Sequence, residues 1–261
     1  MTLGIIQADA FCEGPFSGNP AAVILLNQWL DEKIMLNIAE EINLAETAFL
    51  VRSEDGFLLR WFTPTVEVRL CGHATLASAH VLYEHFNYDK DKITFRTQSG
   101  ELFVSRLSKN YYQMDFPADI PMLIDNKKGL ELGLSSNPSA LYKGTDDYVA
   151  IFSSEEEIKA LTPDFNQIAQ LSSRGLLATA PGNENDFVSR CFFPQSGVNE
   201  DSATGSAHTV LTPLWSEKLN KSTLTALQLS KRKGFFDCTL NNDRVLLKGK
   251  AVTTIKGEIY L

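Results

Sequence analysis

Alternating or continuous apolar runs typical of β-strands cover most of the chain, and few segments have helical periodicity. The predicted strands are Gly4–Ala10, Ala21–Leu26, Thr47–Arg52, Leu58–Thr63, Ile93–Thr97, Glu101–Leu107, Tyr111–Phe116, Tyr148–Phe152, Gly175–Ala180, Phe187–Phe193, Leu227–Lys231, Phe235–Asn241, Arg244–Lys248 and Thr253–Leu261. The predicted surface helices are Gln28–Glu40, Ser154–Leu161 and Phe165–Gln170. A helix after Ala74 and another that opens at Thr204 are apolar or small almost all round, which predicts burial. The pattern is that of an α+β fold.

Two segments of the chain occur twice, half a chain apart. The pattern R-x-F-x-P appears at Arg60–Pro64 and again, 130 residues later, at Arg190–Pro194. Ser78-Ala79-His80 and Ser206-Ala207-His208 are 128 residues apart and follow in the same order. We therefore predict a duplicated unit and two domains, 1–117 and 118–261.

The composition is that of a globular protein with an acidic surface. Of its 261 residues, 44% are hydrophobic and 21% are charged, which excludes disorder as the main state. The net charge is -8, and the only tight basic run is Lys231-Arg232-Lys233, so nucleic acid is not an expected partner. No window approaches the roughly 20 apolar residues of a membrane-spanning helix, and no signal peptide is visible. These features predict a cytoplasmic protein with no membrane partner.

The cysteines and histidines do not indicate a cofactor or metal. The four cysteines lie far apart and form no C-x-x-C pair. His73 and His80 would share a helix face, but the sequence offers no obvious acid or thiol ligand beside them, so we predict no metal site. Motifs for nicotinamide, nucleoside triphosphate and serine-hydrolase chemistry are absent from the sequence, so no cofactor is expected.

Four motifs, in order along the whole chain, strongly resemble the phenazine biosynthesis-like (PhzF-like) family. They are Phe16–Val23, Asn43–Phe49, Leu70–Thr75 and Glu200–Ala207. The resemblance implies the diaminopimelate epimerase-like fold, in which two pseudo-symmetric domains, each a barrel-like shell of strands around a central helix, close over a substrate. It places the last strand, about residues 253–261, on the first domain. It further implies a homodimeric, cofactor-independent isomerase that acts on a small anionic metabolite.

Glu46 is the strongest catalytic candidate. By pattern alone it is a carboxylate at a strand edge, but it matches the catalytic glutamate of the family. We expect its apolar neighbours to raise its pKa toward the working pH, as suits a group that takes and returns a proton.

His73 and Asp201 are the other catalytic candidates. Each stands five residues before the Ser of a repeated Ser-Ala-His segment, which predicts that they are symmetry mates at the starts of the two central helices. Polar groups and backbone N–H groups at helix starts can bind a carboxylate. By pattern alone His73 is a helix-cap or core histidine, and Asp201 is an ordinary N-cap. The resemblance assigns both to the active site.

Further residues match family positions at the substrate site, although turn and capping chemistry explains them equally well. The substrate-binding candidates are Gly18, Asn19, Gly72, Thr204, Gly205 and Ser206. By pattern alone, residues 16–20 form a turn.

Cys71 and Ser202 are two additional candidates. Cys71 matches the first catalytic cysteine of diaminopimelate epimerase, and Ser202 stands where we predict the second thiol. A serine hydroxyl is a poor base, so a two-thiol epimerase is disfavoured. The leading hypothesis is a cofactor-independent isomerase acting on a carboxylate-bearing metabolite, with Glu46 as general acid/base between two domains. The alternatives are a racemase or epimerase that uses Cys71, and a catalytically silent binding protein of the same fold.

Overall fold

The structure, a computed structural model, describes residues 1–124 and 132–261. The chain forms two compact units, one of Met1–Asp115 with Lys248–Leu261 and one of Phe116–Leu247. Each contains one long, almost fully buried helix and many strands. The α+β class predicted from the sequence is confirmed.

The first unit contains two helices, eight strands from its N-terminal segment and the end of the last strand of the chain. The elements are β1 (Thr2–Cys12), β2 (Asn19–Leu26), α1 (Glu32–Ile42), β3 (Glu46–Ser53), β4 (Gly56–Phe62), β5 (Glu67–Val68), α2 (Gly72–His85), β6 (Lys92–Thr97), β7 (Gly100–Ser108) and β8 (Tyr111–Pro117). The strand order is β1-β2-β3-β4-β6-β7-β8, with β5 on β4. The pairs β2–β3 and β4–β6 are parallel.

Among the residues that the structure describes, the second unit contains the remaining strands and three α-helices. The elements are β9 (Met122–Ile124), β10 (Ala140–Lys143), β11 (Asp147–Ile151), α3 (Glu155–Ala160), α4 (Phe165–Ile168), β12 (Gly175–Pro181), β13 (Phe187–Phe192), α5 (Gly205–Leu219), β14 (Thr223–Gln228), β15 (Gly234–Asn241) and β16 (Arg244–Tyr260). The order is β15-β14-β13-β12-β11-β10-β9. The end of β16 belongs to the first unit and pairs with β1, from Thr2 opposite Tyr260 to Cys12 opposite Lys250.

The prediction of two separate strands at 244–248 and 253–261 is wrong, because β16 is continuous. Gly249 interrupts the sequence pattern typical of a strand. It lies against Phe11, and a Cβ at this position would be 2.5 Å from Cδ1 of the ring. Phe11 itself has φ 54 and sits at a register shift between β1 and β16. The glycine therefore makes room for a bulge in the neighbouring strand and does not end its own.

Other boundaries also differ from the predictions. Strand β14 covers Thr223–Gln228 and shares only two residues with the predicted strand 227–231. Its buried and more exposed positions alternate, but the last buried position is Gln228, a polar residue that a search for apolar residues does not count. The predicted turn at 16–20 is shorter, since β2 begins at Asn19. Helix α1 begins after its cap, Asp31, and not at Gln28. The sequence did not predict β5, β9 and β10.

In both central helices, α2 and α5, a buried threonine hydroxyl bonds back to the backbone of its own helix. Thr75 donates to the carbonyl of Cys71 over 2.5 Å, and Thr212 donates to that of His208 over 2.5 Å. Back-bonding of this kind lets small polar residues lie inside a unit without an unsatisfied donor. It explains how helices with little amphipathic character are buried.

Helix α5 contains Pro213, which cannot donate to the carbonyl four residues earlier. That carbonyl, on Thr209, instead accepts a hydrogen bond of 3.1 Å from the backbone N–H of Asp119. The partner outside the helix therefore replaces the missing bond and allows the proline to stay in a buried helix.

The R-x-F-x-P repeat forms the same contact in each unit. Arg60 makes two hydrogen bonds to Glu67, of 2.7 and 2.6 Å, and Arg190 makes two to Glu200, of 2.7 and 2.9 Å. Each guanidinium also lies 5.2 Å from the ring centroid of the phenylalanine two residues later. We call each such pair an Arg–Glu clamp. It fixes the segment that leads into the central helix.

The clamps show that the two Ser-Ala-His segments do not occupy equivalent positions in α2 and α5. Each clamp glutamate lies five residues before the glycine that begins the central helix, Gly72 or Gly205. Counted from these glycines, Ser78 lies in the second turn of α2 whereas Ser206 lies in the first turn of α5. His80 and His208 are therefore not equivalent, and Cys71 corresponds to Thr204.

Candidate active site

Four of the predicted site residues meet at the start of α2 in the first unit. Glu46 begins β3, Asn19 begins β2, Cys71 immediately precedes α2, and His73 is its second residue. The parallel pairing of β2 with β3 brings Ala21 opposite Glu46, which places Asn19 just upstream of this pair. The buried imidazole of His73 is the group that the other three surround.

Glu46 and His73 form an ion-pair contact. Oε2 of Glu46 lies 3.1 Å from Nε2 of His73, and the side chains are 18% and 6% exposed. Neither atom has a well-formed hydrogen bond to any residue that the structure describes. Both groups consequently keep hydrogen-bonding capacity for a further molecule, and a carboxylate and an imidazole this close can exchange a proton.

Asn19 and Cys71 lie on the opposite side of the imidazole. Nδ2 of Asn19 is 3.2 Å and Sγ of Cys71 is 3.5 Å from Nδ1 of His73. Asn19 is 1% exposed and Cys71 is 7% exposed, so both contacts are shielded from water. The ring of His73 therefore separates two uncharged donors from the carboxylate of Glu46.

The protonation of His73 and Cys71 follows from this packing. Burial lowers the pKa of His73, but the adjacent Cys71 and Glu46 raise it, and the net direction is well upward. Burial, followed by the charge of Glu46, raises the pKa of the Cys71 thiol. Cys71 is therefore a neutral thiol near pH 7, and Glu46 is the charge that holds a proton on His73.

The sequence-based statement that no acid or thiol lies beside His73 is wrong. Ligand-type atoms of Glu46, Cys71 and His73 all lie within 4.8 Å of one another. However, Sγ of Cys71 approaches Nδ1 while Oε2 of Glu46 approaches Nε2. An ion binds through only one of these nitrogens, so the arrangement suits a proton relay better than a metal chelate. The prediction of no metal stays a prediction.

The first N–H groups of α2 are oriented for a negatively charged group. No described side chain makes a capping hydrogen bond at Cys71, whereas Asp31, Ser154 and Asp164 cap α1, α3 and α4. A helix start has a positive partial charge. Together with the buried Nε2 of His73, it offers donors to a carboxylate.

In the second unit, Asp201, Ser202 and Thr204 form one hydrogen-bonded loop before α5. The carboxylate of Asp201 accepts from the backbone N–H of Ser202 over 2.9 Å and from the hydroxyl of Thr204 over 2.6 Å. The buried Gln228 accepts from the N–H of Thr204 and donates to the carbonyl of Asp201, each over 2.8 Å. Gln228 was missed by the sequence analysis, because a single glutamine in a strand carries no motif.

The structure corrects two correspondences between the units. Thr204, and not Ser202, holds the position before α5 that Cys71 holds before α2. Ser206, and not Asp201, is the second residue of its helix, as His73 is of α2. The error came from the Ser-Ala-His match, and the clamp glutamates would have given the right register.

Gly18 has a structural role that explains its residue type. Its φ is 70, and a Cβ there would lie 2.3 Å from the carbonyl oxygen of Ala10. The glycine allows the chain to turn tightly against β1 and delivers Asn19 to His73. The substrate contacts predicted for Gly18, Asn19, Gly72, Thr204, Gly205 and Ser206 stay predictions.

Among residues 1–124 and 132–261, no helix has the length and apolar character that crossing a membrane requires.

Comparison with known proteins agrees with the geometry. The family model described as phenazine biosynthesis-like protein, PhzC-PhzF, matches residues 8–257. A Pseudomonas aeruginosa protein named as an uncharacterized isomerase is 46% identical over 261 residues, covering 100% of both chains. The crystal structure of a PhzF-family protein from Enterococcus faecalis is 43% identical, with a TM-score of 0.96 and 100% coverage of both chains.

A more distant structure supports the fold. A hydroxyproline epimerase from Agrobacterium vitis has a TM-score of 0.64 at 7% identity, covering 99% of this chain and 92% of its own. This likeness bears on the fold alone, and it agrees with the diaminopimelate epimerase-like fold that the motifs predicted, which is confirmed. The recognition made from the four sequence motifs is likewise confirmed, and the chain belongs to the phenazine biosynthesis-like (PhzC-PhzF) family.

Proposed function

We propose that this isomerase moves a proton within a small carboxylate-bearing metabolite without a cofactor, and that Glu46 is the general acid/base. That the chain is an isomerase follows from its family and from full-length relatives that bear that name. The observation that carries the proposal is the position of the Glu46 carboxylate, 3.1 Å from the buried Nε2 of His73.

The proposed step conserves all atoms of the substrate. Glu46 accepts a proton from one carbon of the substrate, and the resulting negative charge spreads toward the neighbouring unsaturated or carboxylate group. Glu46 then returns the proton to another position of the same molecule. His73 supports both steps, because its Nε2 can stabilise the carboxylate in one state and donate to the substrate in the other.

The substrate carboxylate is assigned to the start of α2. The N–H groups there have no side-chain cap among the described residues. The chain has a net charge of -8, so a local positive partial charge is needed to hold an anion on this protein. The catalytic role predicted for Asp201, the homodimer and the cytoplasmic location stay predictions.

A racemase or epimerase that uses Cys71 is the second candidate, because Sγ lies 3.5 Å from the imidazole of His73. Burial and Glu46 raise the pKa of this thiol, which opposes formation of the thiolate that a thiol base requires. Thr204 holds the corresponding position in the second unit, and a hydroxyl there cannot supply a second thiol base. The two-thiol mechanism is therefore disfavoured.

The test is a proton-exchange screen. Small carboxylated metabolites are incubated with the protein in deuterated water, and NMR follows both deuterium incorporation and the appearance of an isomer. We expect one class of compound to isomerise. Glu46→Gln, which keeps size but does not titrate, should then slow turnover by about 10²–10⁴-fold.

The matched control is Glu40→Gln on the exposed face of α1, which should turn over at the wild-type rate. A Glu46→Gln protein that is folded and as active as wild type would falsify the role of Glu46.

A further inference from the structure

Asn19 contacts His73 through an atom that can only donate. Its Nδ2 lies 3.2 Å from Nδ1 of the ring. Since an amide nitrogen carries hydrogens and accepts none, Nδ1 must be the acceptor and carry no proton in this contact. A neutral histidine with an unprotonated Nδ1 has its proton on Nε2, which is the nitrogen 3.1 Å from Glu46.

Cys71 reinforces the same arrangement. Its Sγ lies 3.5 Å from the same Nδ1, and the raised pKa of the thiol keeps a hydrogen on the sulfur. Both groups on this side of the ring are therefore donors, while the group beside Nε2 is a carboxylate, which accepts. The surroundings of His73 specify one tautomer.

The backbone holds the amide of Asn19 in place. Asn19 begins β2 opposite Ala10 of β1, and it directly follows the tight turn at Gly18. The side chain is buried, so it cannot leave Nδ1 for solvent without moving the strand. A fixed donor of this kind orients a catalytic imidazole, as the groups behind such residues generally do.

The amide acts against the charged form of His73. The net shift of the His73 pKa is upward, the carboxylate of Glu46 contributes to it, and it favours a second proton on the ring. An imidazolium has N–H on both nitrogens, and its Nδ1–H would then point at the N–H of Asn19. Asn19 therefore opposes that second proton and, in the neutral ring, leaves Nε2 as the protonated nitrogen.

We propose that Asn19 is a positioning residue that keeps the proton of His73 on Nε2, so that the His73–Glu46 pair holds one mobile proton directed at the reacting molecule. This inference rests on the proposed function of Glu46 and His73 for its meaning in catalysis. It assigns Asn19 a task other than the substrate contact that the family resemblance implied.

The first test needs no substrate. The full-length protein is labelled with ¹⁵N in its histidines, and NMR follows both ring nitrogens of His73 as the pH is raised until the ring loses its charge. We expect the neutral ring to carry its proton on Nε2. A neutral ring with its proton on Nδ1, or a ring that stays charged at every pH at which the protein is folded, would overturn the inference in the wild-type protein alone.

The second test is Asn19→Asp, which preserves shape and replaces the donor with an acceptor. The carboxylate should draw a proton onto Nδ1 of His73, which the same NMR experiment detects. Turnover should fall, by up to about 10⁴-fold if the ring is left in the wrong tautomer. The loss should be in kcat more than in KM, because Asn19 acts through His73. An unchanged tautomer in the folded variant contradicts the inference.

The matched control is Asn242→Asp, which adds the same charge in an exposed turn of the second unit. It should change neither the His73 signals nor turnover. Failure of the proposed function is visible separately, since full activity of Glu46→Gln refutes that proposal whatever the tautomer of His73. If Asn19→Asp does not fold, the wild-type spectrum decides the inference.

Discussion

Glu46 begins strand β3 and His73 is the second residue of helix α2, and their Oε2 and Nε2 atoms nevertheless lie 3.1 Å apart. The strand and helix geometry fixes the reach of each side chain toward the other. A contact made in this way depends on side-chain length as well as on charge.

Glu46→Asp tests that reach. The shorter side chain keeps a titrating carboxylate but withdraws it from Nε2 of His73 by about one bond length. Misplacement of a catalytic group by about 1 Å can lower the rate about 10²-fold, so we expect a loss of this order. Steady-state kinetics on the substrate identified by the deuterium screen would measure it. Wild-type turnover in Glu46→Asp would show that the contact with His73 is not needed.

Cys71→Ser separates the isomerase from the epimerase. In the proposed function the thiol takes no proton from the substrate, and a serine hydroxyl can still donate to Nδ1 of His73, so we expect turnover to stay within about tenfold of wild type, well short of the loss of a general base. Cys238→Ser, a substitution at an equally buried cysteine of the second unit, controls for the effect of polarity on stability. Abolished turnover in a folded Cys71→Ser protein would favour a thiol base.

The Arg–Glu clamps should contribute measurably to stability. Arg60→Lys and Arg190→Lys keep the charge but lose the paired hydrogen bonds to Glu67 and Glu200. Because both pairs are largely shielded from solvent, we expect each variant to lower the free energy of unfolding by about 1–3 kcal/mol.

Arg190 should have the larger effect of the two: its Nη1 also donates to the carbonyl of Leu161 over 2.7 Å, whereas the additional partner of Arg60, Glu32, is 69% exposed. Arg96→Lys, whose side chain is 42% exposed, is the control and should cost less than about 1 kcal/mol. Urea denaturation measures all three. A clamp variant no less stable than Arg96→Lys would contradict the prediction.

The protein should lose stability in mild acid because of two buried histidines. Burial lowers the pKa of His80 and of His208 from 6.5 to about 4. The unfolded chain binds protons at these residues more readily, so the stability they provide is complete above pH 6.5 and is lost as the pH falls toward 4. The loss amounts to at most about 3 kcal/mol for each residue.

Urea denaturation between pH 7 and pH 4 measures this loss. His80 bonds to the hydroxyl groups of Tyr112 and Thr253, and His208 stacks on Phe236, so His80→Gln and His208→Phe each remove one titrating group. Each variant should show a weaker dependence of unfolding free energy on pH than wild type. An equal dependence in both variants would exclude these histidines as the cause.

The sequence predicted the α+β class and the family, because these depend on local patterns and on four short motifs. It did not predict the contact of Glu46 with His73 or of Asn19 with His73, since the partners are far apart in the chain and meet only through the pairing of β2 with β3 and the packing of α2. At Gln228 and Gly249 the predicted strand boundaries were wrong for a local reason. A buried amide and a glycine beside a bulge do not follow the ordinary pattern of apolar positions.

The two Arg–Glu clamps also record where the duplicated units diverged. The glutamate lies seven positions after the arginine in the first unit and ten positions after it in the second, whereas the first helical glycine lies five positions after the glutamate in both. The additional residues of the second unit follow the repeated proline, Pro194, which begins the short 3-10 turn Pro194–Ser196. An insertion upstream of the glutamate lengthens a surface loop, but one downstream would shift the start of the helix relative to its anchor. The difference in length between the two units therefore lies before the glutamate, where it does not move the start of the helix.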